Sequence, residues 1–122
     1  TNSAADSVDR MVNVFPQEQQ RQVRIQLAAT LRAVISQQLL PRKSSRGRAA
    51  VCEIMVVNPA IKNLIREGKT PQMDSFVAMN AQNGSILMDA ALQKMVREGT
   101  VAQATAQRYA RDPERFRGPG CF

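Results

Sequence analysis

One stretch near the middle of the chain dictates its local structure almost completely. Residues 58–69 read NPAIKNLIREGK. The side-chain oxygen of Asn58 can accept from the open N–H groups of a first helical turn. Pro59 holds φ near the helical value at a position that needs no N–H, and Gly68 tolerates the left-handed conformation that closes a helix. Between those ends Ile61, Leu64 and Ile65 stand at i, i+3 and i+4, whereas Lys62, Asn63, Arg66 and Glu67 fall largely outside that stripe. A helix so bounded and so sided must bury one face. On pattern alone it is an amphipathic core helix, the most ordinary element of globular proteins.

Two helical patterns and one extended pattern precede it. Ala4, Ala5, Val8, Met11, Val12 and Phe15 recur at helical spacing, with Ser3 placed to cap and Asp6 three residues on to complete a capping box, which predicts a helix ending near Phe15. Pro16 opens a second helix of about 15 residues, in which Val23, Leu27 and Leu31 stand four apart among glutamines and arginines. Residues 34–40 (VISQQLL) and 49–57 (AAVCEIMVV) are rich in β-formers and are expected to pair as a hairpin. Between them Arg42, Lys43, Arg46 and Arg48 surround Ser44, Ser45 and Gly47 in an exposed basic loop, either a solvated turn or a contact for an acidic partner. Glu53 interrupts the second apolar run, so it must face solvent or pair with a basic group, and pairing is favoured.

Three more helices are expected after residue 69. Thr70 and Pro71 begin one that ends near Asn83 and Gly84. Ser85 caps the next, which closes at Gly99 and has a broad apolar face of Ile86, Leu87, Ala90, Ala91, Met95 and Val96. Thr100 and Gln103 form a capping box for the third. Met73, Met79, Met88 and Met95 read as adaptable core. Asp112 and Pro113 start a last turn, and residues 115–122 (RFRGPGCF) read as a frayed tail. The expected fold class is α+β and mostly α: two helices, a β-hairpin, then a C-terminal helical cap.

A chain of 122 residues supports one modest core. Its net charge of +7 favours an acidic partner. One Tyr, four Phe and no Trp supply little for base stacking. Residues 85–98 and 100–111 superficially resemble a helix-turn-helix, but the second carries few side chains that read bases or bind phosphate. A small basic nucleic-acid-binding module is thus the weaker reading, and no nucleic-acid partner is expected. Cys52 and Cys121 have neither disulfide nor zinc spacing, and the chain has no histidine, so a metal site is not expected and a reduced, cytoplasmic setting fits. No signal peptide opens the chain, and no apolar run nears the ~20 residues that span a bilayer. No GxxxxGK[ST] phosphate loop matches, the Ser44–Arg48 string holding one glycine and no GK[ST], and without histidine there is no Ser-His or Cys-His pair. By itself the chain is expected to bind no cofactor and hydrolyse nothing.

Residues 60–67 (AIKNLIRE) resemble the AIRNLIRE signature of the type IV pilus twitching-motility ATPases, the motors that retract pili. Only Lys62 departs, standing where the family has its first arginine; it keeps the charge and loses the planar bidentate fork. Residues 1–16 (TNSAADSVDRMVNVFP) are similar to the latter part of the family's histidine box, whose histidine would lie just ahead of Thr1. Residues 34–55 are similar in order and spacing to the hairpin that joins those two motifs.

The resemblance implies the C-terminal portion of a RecA-like motor, a piece of a longer chain. Residues 1–57 would be the end of the RecA-like core, comprising the histidine-box remnant, a helix and the hairpin; residues 58–122 would be a C-terminal helical region. The P-loop, acidic boxes and catalytic glutamate of the family all precede the segment matched by Thr1, so ATP and magnesium would be bound in the parent protein and no catalytic residue would lie here. Thr1, Asp9 and Arg10 would carry nucleotide sensing. Ala60, Ile61, Lys62, Asn63, Leu64, Ile65, Arg66 and Glu67 would couple hydrolysis to pilus disassembly, and the loop of Arg42, Lys43, Arg46 and Arg48 would touch a neighbouring subunit or a pilus platform protein. The implied assembly is a homohexameric ring on the cytoplasmic face of the inner membrane. A secretion, pilus-assembly or accessory retraction ATPase of the same superfamily is the alternative. A piece beginning at Thr1 would leave a hairpin edge and apolar surface uncovered, and self-association is expected.

Overall fold

The computed structural model describes residues 3–44, 46–79 and 83–117. In chain order come α1 (Ala4–Asn13), α2 (Gln17–Thr30), β1 (Ala33–Pro41), β2 (Arg48–Val56), α3 (Pro59–Glu67), a 3₁₀ turn (Thr70–Gln72), α4 (Met73–Met79), α5 (Met88–Arg97), α6 (Gln103–Tyr109) and a second 3₁₀ turn (Pro113–Phe116). β1 and β2 form a two-stranded antiparallel hairpin. The order is the expected one. Two compact units share the chain, one of Thr1–Ser36 with Ile54–Leu87, the other of Gln37–Glu53 with Met88–Phe122.

In the first unit, α1 starts as its sequence dictates. Ser3 Oγ accepts from the Asp6 N–H at 3.0 Å, and Ala4, Val8 and Val12 are buried. In α2 the residue that reaches full burial is Ala28; Val23, Leu27 and Leu31, the expected stripe, are only half-buried. α2 lies against α3, and a small residue at the contact lets two helices approach closely. α3 forms as read. Asn58 Oδ1 accepts from the Ile61 N–H at 2.8 Å, Gly68 takes φ +72°, and the Lys69 N–H returns to the Leu64 carbonyl at 2.9 Å. Ile61, Leu64 and Ile65 join Val8, Ala28, Met55, Met73 and Val77 in one core cluster. Full burial of an aliphatic side chain contributes about 1.5–3 kcal/mol, so the stripe anchors α3 firmly.

Two expectations for this unit are corrected. The helix after Pro71 is described from Met73 to Met79, residues 80–82 before its expected end near Asn83 lie outside the described residues, and Met79 is 75% exposed rather than core. Ser85 is not a helix cap: Ile86 exchanges backbone hydrogen bonds with Ile54 at 2.9 and 2.8 Å, and Ser85 Oγ accepts from the Val56 N–H at 3.0 Å. The open backbone groups of β2 claim the segment, and a β-branched isoleucine suits the extended geometry that this requires.

In the second unit α5 starts at Met88, whose N–H donates to Glu53 Oε1 at 3.0 Å. A carboxylate from β2 therefore performs the capping expected of Ser85. Glu53 also accepts from Arg111 Nη2, the basic partner that its position required. Asp89, in the first turn of α5, accepts from the N–H groups of Arg111 and Asp112 at 2.9 and 3.0 Å. α6 has no side-chain cap; Gln103 Nε2 donates instead to the Phe116 carbonyl, while the Thr100 carbonyl accepts from the Lys43 N–H at 2.9 Å. Phe116, placed by its sequence in a frayed tail, is fully buried. Leu40, Val51, Met88, Leu92, Val101 and Ala106 are also buried in this unit.

Candidate functional site

α3 divides its side chains by role. Ile61, Leu64 and Ile65 are buried, Ala60 and Lys62 are half-buried, and Asn63, Arg66 and Glu67 are exposed. Arg66 Nη1 donates to Asn63 Oδ1 at 3.0 Å, and Glu67 pairs with Lys69 at 3.1 Å. Both contacts are solvent-exposed, so they orient the polar edge more than they stabilise it.

α2 brings further cations to that edge. Arg21, Arg24, Ile25, Arg66, Glu67 and Lys69 line one groove. A Cβ at Gly68 would meet Arg24 Nε at 3.1 Å, which places the Arg24 guanidinium directly over the backbone that closes α3.

Asp9 connects α1 to the same closure. Both of its carboxylate oxygens accept from Thr70 Oγ1, at 2.9 and 2.8 Å, and Thr70 is only 5% exposed. Thr70 lies two residues beyond Gly68, so the stretch that resembles a histidine box is tied to the turn that ends the AIKNLIRE helix. Arg10 is exposed on α1. Thr1 lies outside the described residues. Arg42, Lys43, Arg46 and Arg48 are exposed, as a basic loop should be, and belong to the other unit.

Thus Asp9 and the AIKNLIRE helix share one unit and one hydrogen-bonded connection. Sequence reasoning missed Thr70, read only as a helix start, and missed Arg21 and Arg24. The spacing of the two arginines, three apart on α2, was visible; that their face meets α3 was not. Among the described residues no cluster of three His, Cys, Asp or Glu could hold a metal ion, and no helix is long and apolar enough to cross a membrane.

No protein-family model matches the chain. Individual proteins do. The twitching motility protein of Neisseria gonorrhoeae is 44% identical over 114 residues, and the type IV pilus retraction ATPase PilT of Pseudomonas aeruginosa is 42% identical over 116. The chain is homologous to the pilus retraction ATPases. It matches these two proteins over 93% and 95% of its own length but over only 30% and 33% of theirs. The chain therefore spans about a third of the length of the curated relatives it matches. The crystal structure of the pilus retraction motor PilT with bound ADP aligns at a TM-score of 0.80 and 38% identity, covering 93% of this chain and 31% of that one. A mostly helical architecture with one antiparallel hairpin is thus the architecture of part of a retraction ATPase.

Proposed function

We propose that this chain is the C-terminal part of a hexameric ATPase motor that retracts type IV pili, and that α3 is the element coupling nucleotide state to pilus disassembly. The observation that carries the reading is the Asp9–Thr70 hydrogen bond. It links the stretch assigned to nucleotide sensing, with Asp9 and Arg10, to the end of the coupling helix without an intervening loop. A displacement of α1 then reaches the α3 terminus directly. The buried stripe of Ile61, Leu64 and Ile65 makes α3 move as a body, and Asn63, Arg66 and Glu67 face outward to act on whatever lies beyond.

ATP and magnesium are assigned to parts of the motor that precede this segment, as the resemblance implies. No catalytic step is derived through residues of this chain. Residues 1–57 are read as the end of the RecA-like core and residues 58–122 as its C-terminal helical region. The working place is the cytoplasmic side of the inner membrane, with a pilus platform protein as partner. The retraction branch is preferred to secretion or pilus assembly because relatives named for twitching and retraction are 42–44% identical to this chain.

The test uses the full-length motor. Arg66→Ala and Thr70→Val should each leave ATP turnover near its normal rate while abolishing surface twitching. Variants that turn over ATP and retract pili like the parent would sink the coupling role.

A further inference from the structure

The groove between α2 and α3 carries an unbalanced charge. Arg21, Arg24, Arg66 and Lys69 line it against one carboxylate, Glu67, which is already paired with Lys69 at 3.1 Å. Among the described residues none of the three arginines has a carboxylate within ion-pair reach. Like charges gathered on one surface repel one another even through water, and a ligand of opposite sign relieves that repulsion.

We infer that this groove binds an acidic segment of a protein partner, with its Asp or Glu carboxylates seated between Arg24 and Arg66. Guanidinium groups grip carboxylates through paired N–H donors, which lysine cannot reproduce. Arg24 is partly preorganised, since it lies against the Gly68 backbone in the space a Cβ would need, and a side chain already held in place loses less freedom on binding. The lining also selects a polypeptide over a phosphate backbone. Ile25, 39% exposed, stands among the arginines as an apolar contact for an aliphatic side chain, and among the described residues no aromatic ring lines the groove on which a base could stack. The inference rests on the coupling role of α3 only for the purpose of the contact; the binding itself follows from the groove.

Fluorescence anisotropy of the 122-residue chain tests it directly. The probe is a fluorescein-labelled peptide of glutamates interspersed with leucines, with its glutamine counterpart as control. The glutamate peptide should bind in a salt-sensitive manner, and Arg24→Glu with Arg66→Glu should weaken it about tenfold or more. Arg97→Glu with Arg108→Glu, at exposed positions of α5 and α6, should leave binding unchanged. Equal weakening by that control variant, equal binding of the glutamine peptide, or displacement of the probe by duplex DNA more readily than by unlabelled peptide would overturn the assignment. If circular dichroism shows that the Arg24/Arg66 variant has lost its helices, Arg21→Glu with Lys69→Glu decides by the same criteria. Peptide binding needs no working motor, so intact binding in a motor whose retraction ignores α3 would reject the coupling role alone. Lost binding with α3-dependent retraction would reject this inference alone.

Discussion

Glu53 stands in a strand that is otherwise apolar, and its type alone restricts it to solvent or to a cation. The structure buries it to 1% exposure and gives it Arg111, 58 residues away, together with the Met88 N–H. That a partner was needed was legible in the sequence; which arginine would supply it was not, because nothing local marks Arg111 above the other basic residues. Removing that partner leaves a buried carboxylate with fewer donors. Arg111→Met should therefore destabilise the protein by about 2 kcal/mol in urea titrations, near the cost of breaking a hydrogen bond to a buried charge and less than that for a fully enclosed ion pair. Glu53→Gln combined with Arg111→Met should cost less than the sum of the two single changes, since each removes the same contact. Additive costs would mean that the pair contributes nothing jointly.

Helix α3 was readable end to end because each of its signals lies within a few residues of the backbone group it serves. Asn58 caps a donor three residues on, Gly68 supplies the positive φ, and the apolar stripe follows the helical repeat. α5 and α6 were misplaced for the opposite reason. Ser85 and Thr100 are competent caps, yet pairing with Ile54 and Val56 draws the first into extended structure, and the Thr100 carbonyl serves Lys43. Long-range hydrogen bonds outweighed local propensity, which spans well under a kilocalorie per residue for most side chains. Gly68→Ala tests the most local of these determinants. The left-handed backbone and the 3.1 Å approach to Arg24 Nε together predict a loss of about 1 kcal/mol, read as a lower unfolding temperature. An unchanged or raised melting temperature would show that the helix end relaxes without cost.

At the scale of the chain, two strands make a sheet in which each strand is also an edge. Ile35 and Leu39 are 64% and 50% exposed on β1. Unprotected edges of this kind pair with other chains unless charge or proline blunts them. Sedimentation velocity of the 122-residue chain should show self-association that rises with concentration and is weakened by Leu39→Lys. A single monomeric species across the whole series would contradict this. The sequence by itself determined where α3 begins and ends, which of its faces is buried, that a hairpin follows two helices, and that Glu53 needs a partner. Those features depend on interactions spanning a few residues or on the cost of burying a lone charge. Tertiary structure alone decided that Arg21 and Arg24 of α2 meet the polar edge of α3, that Asp9 holds Thr70, and that Glu53 caps α5. These contacts join residues far apart in sequence, and their formation depends on the path of the chain between them, which no local pattern encodes.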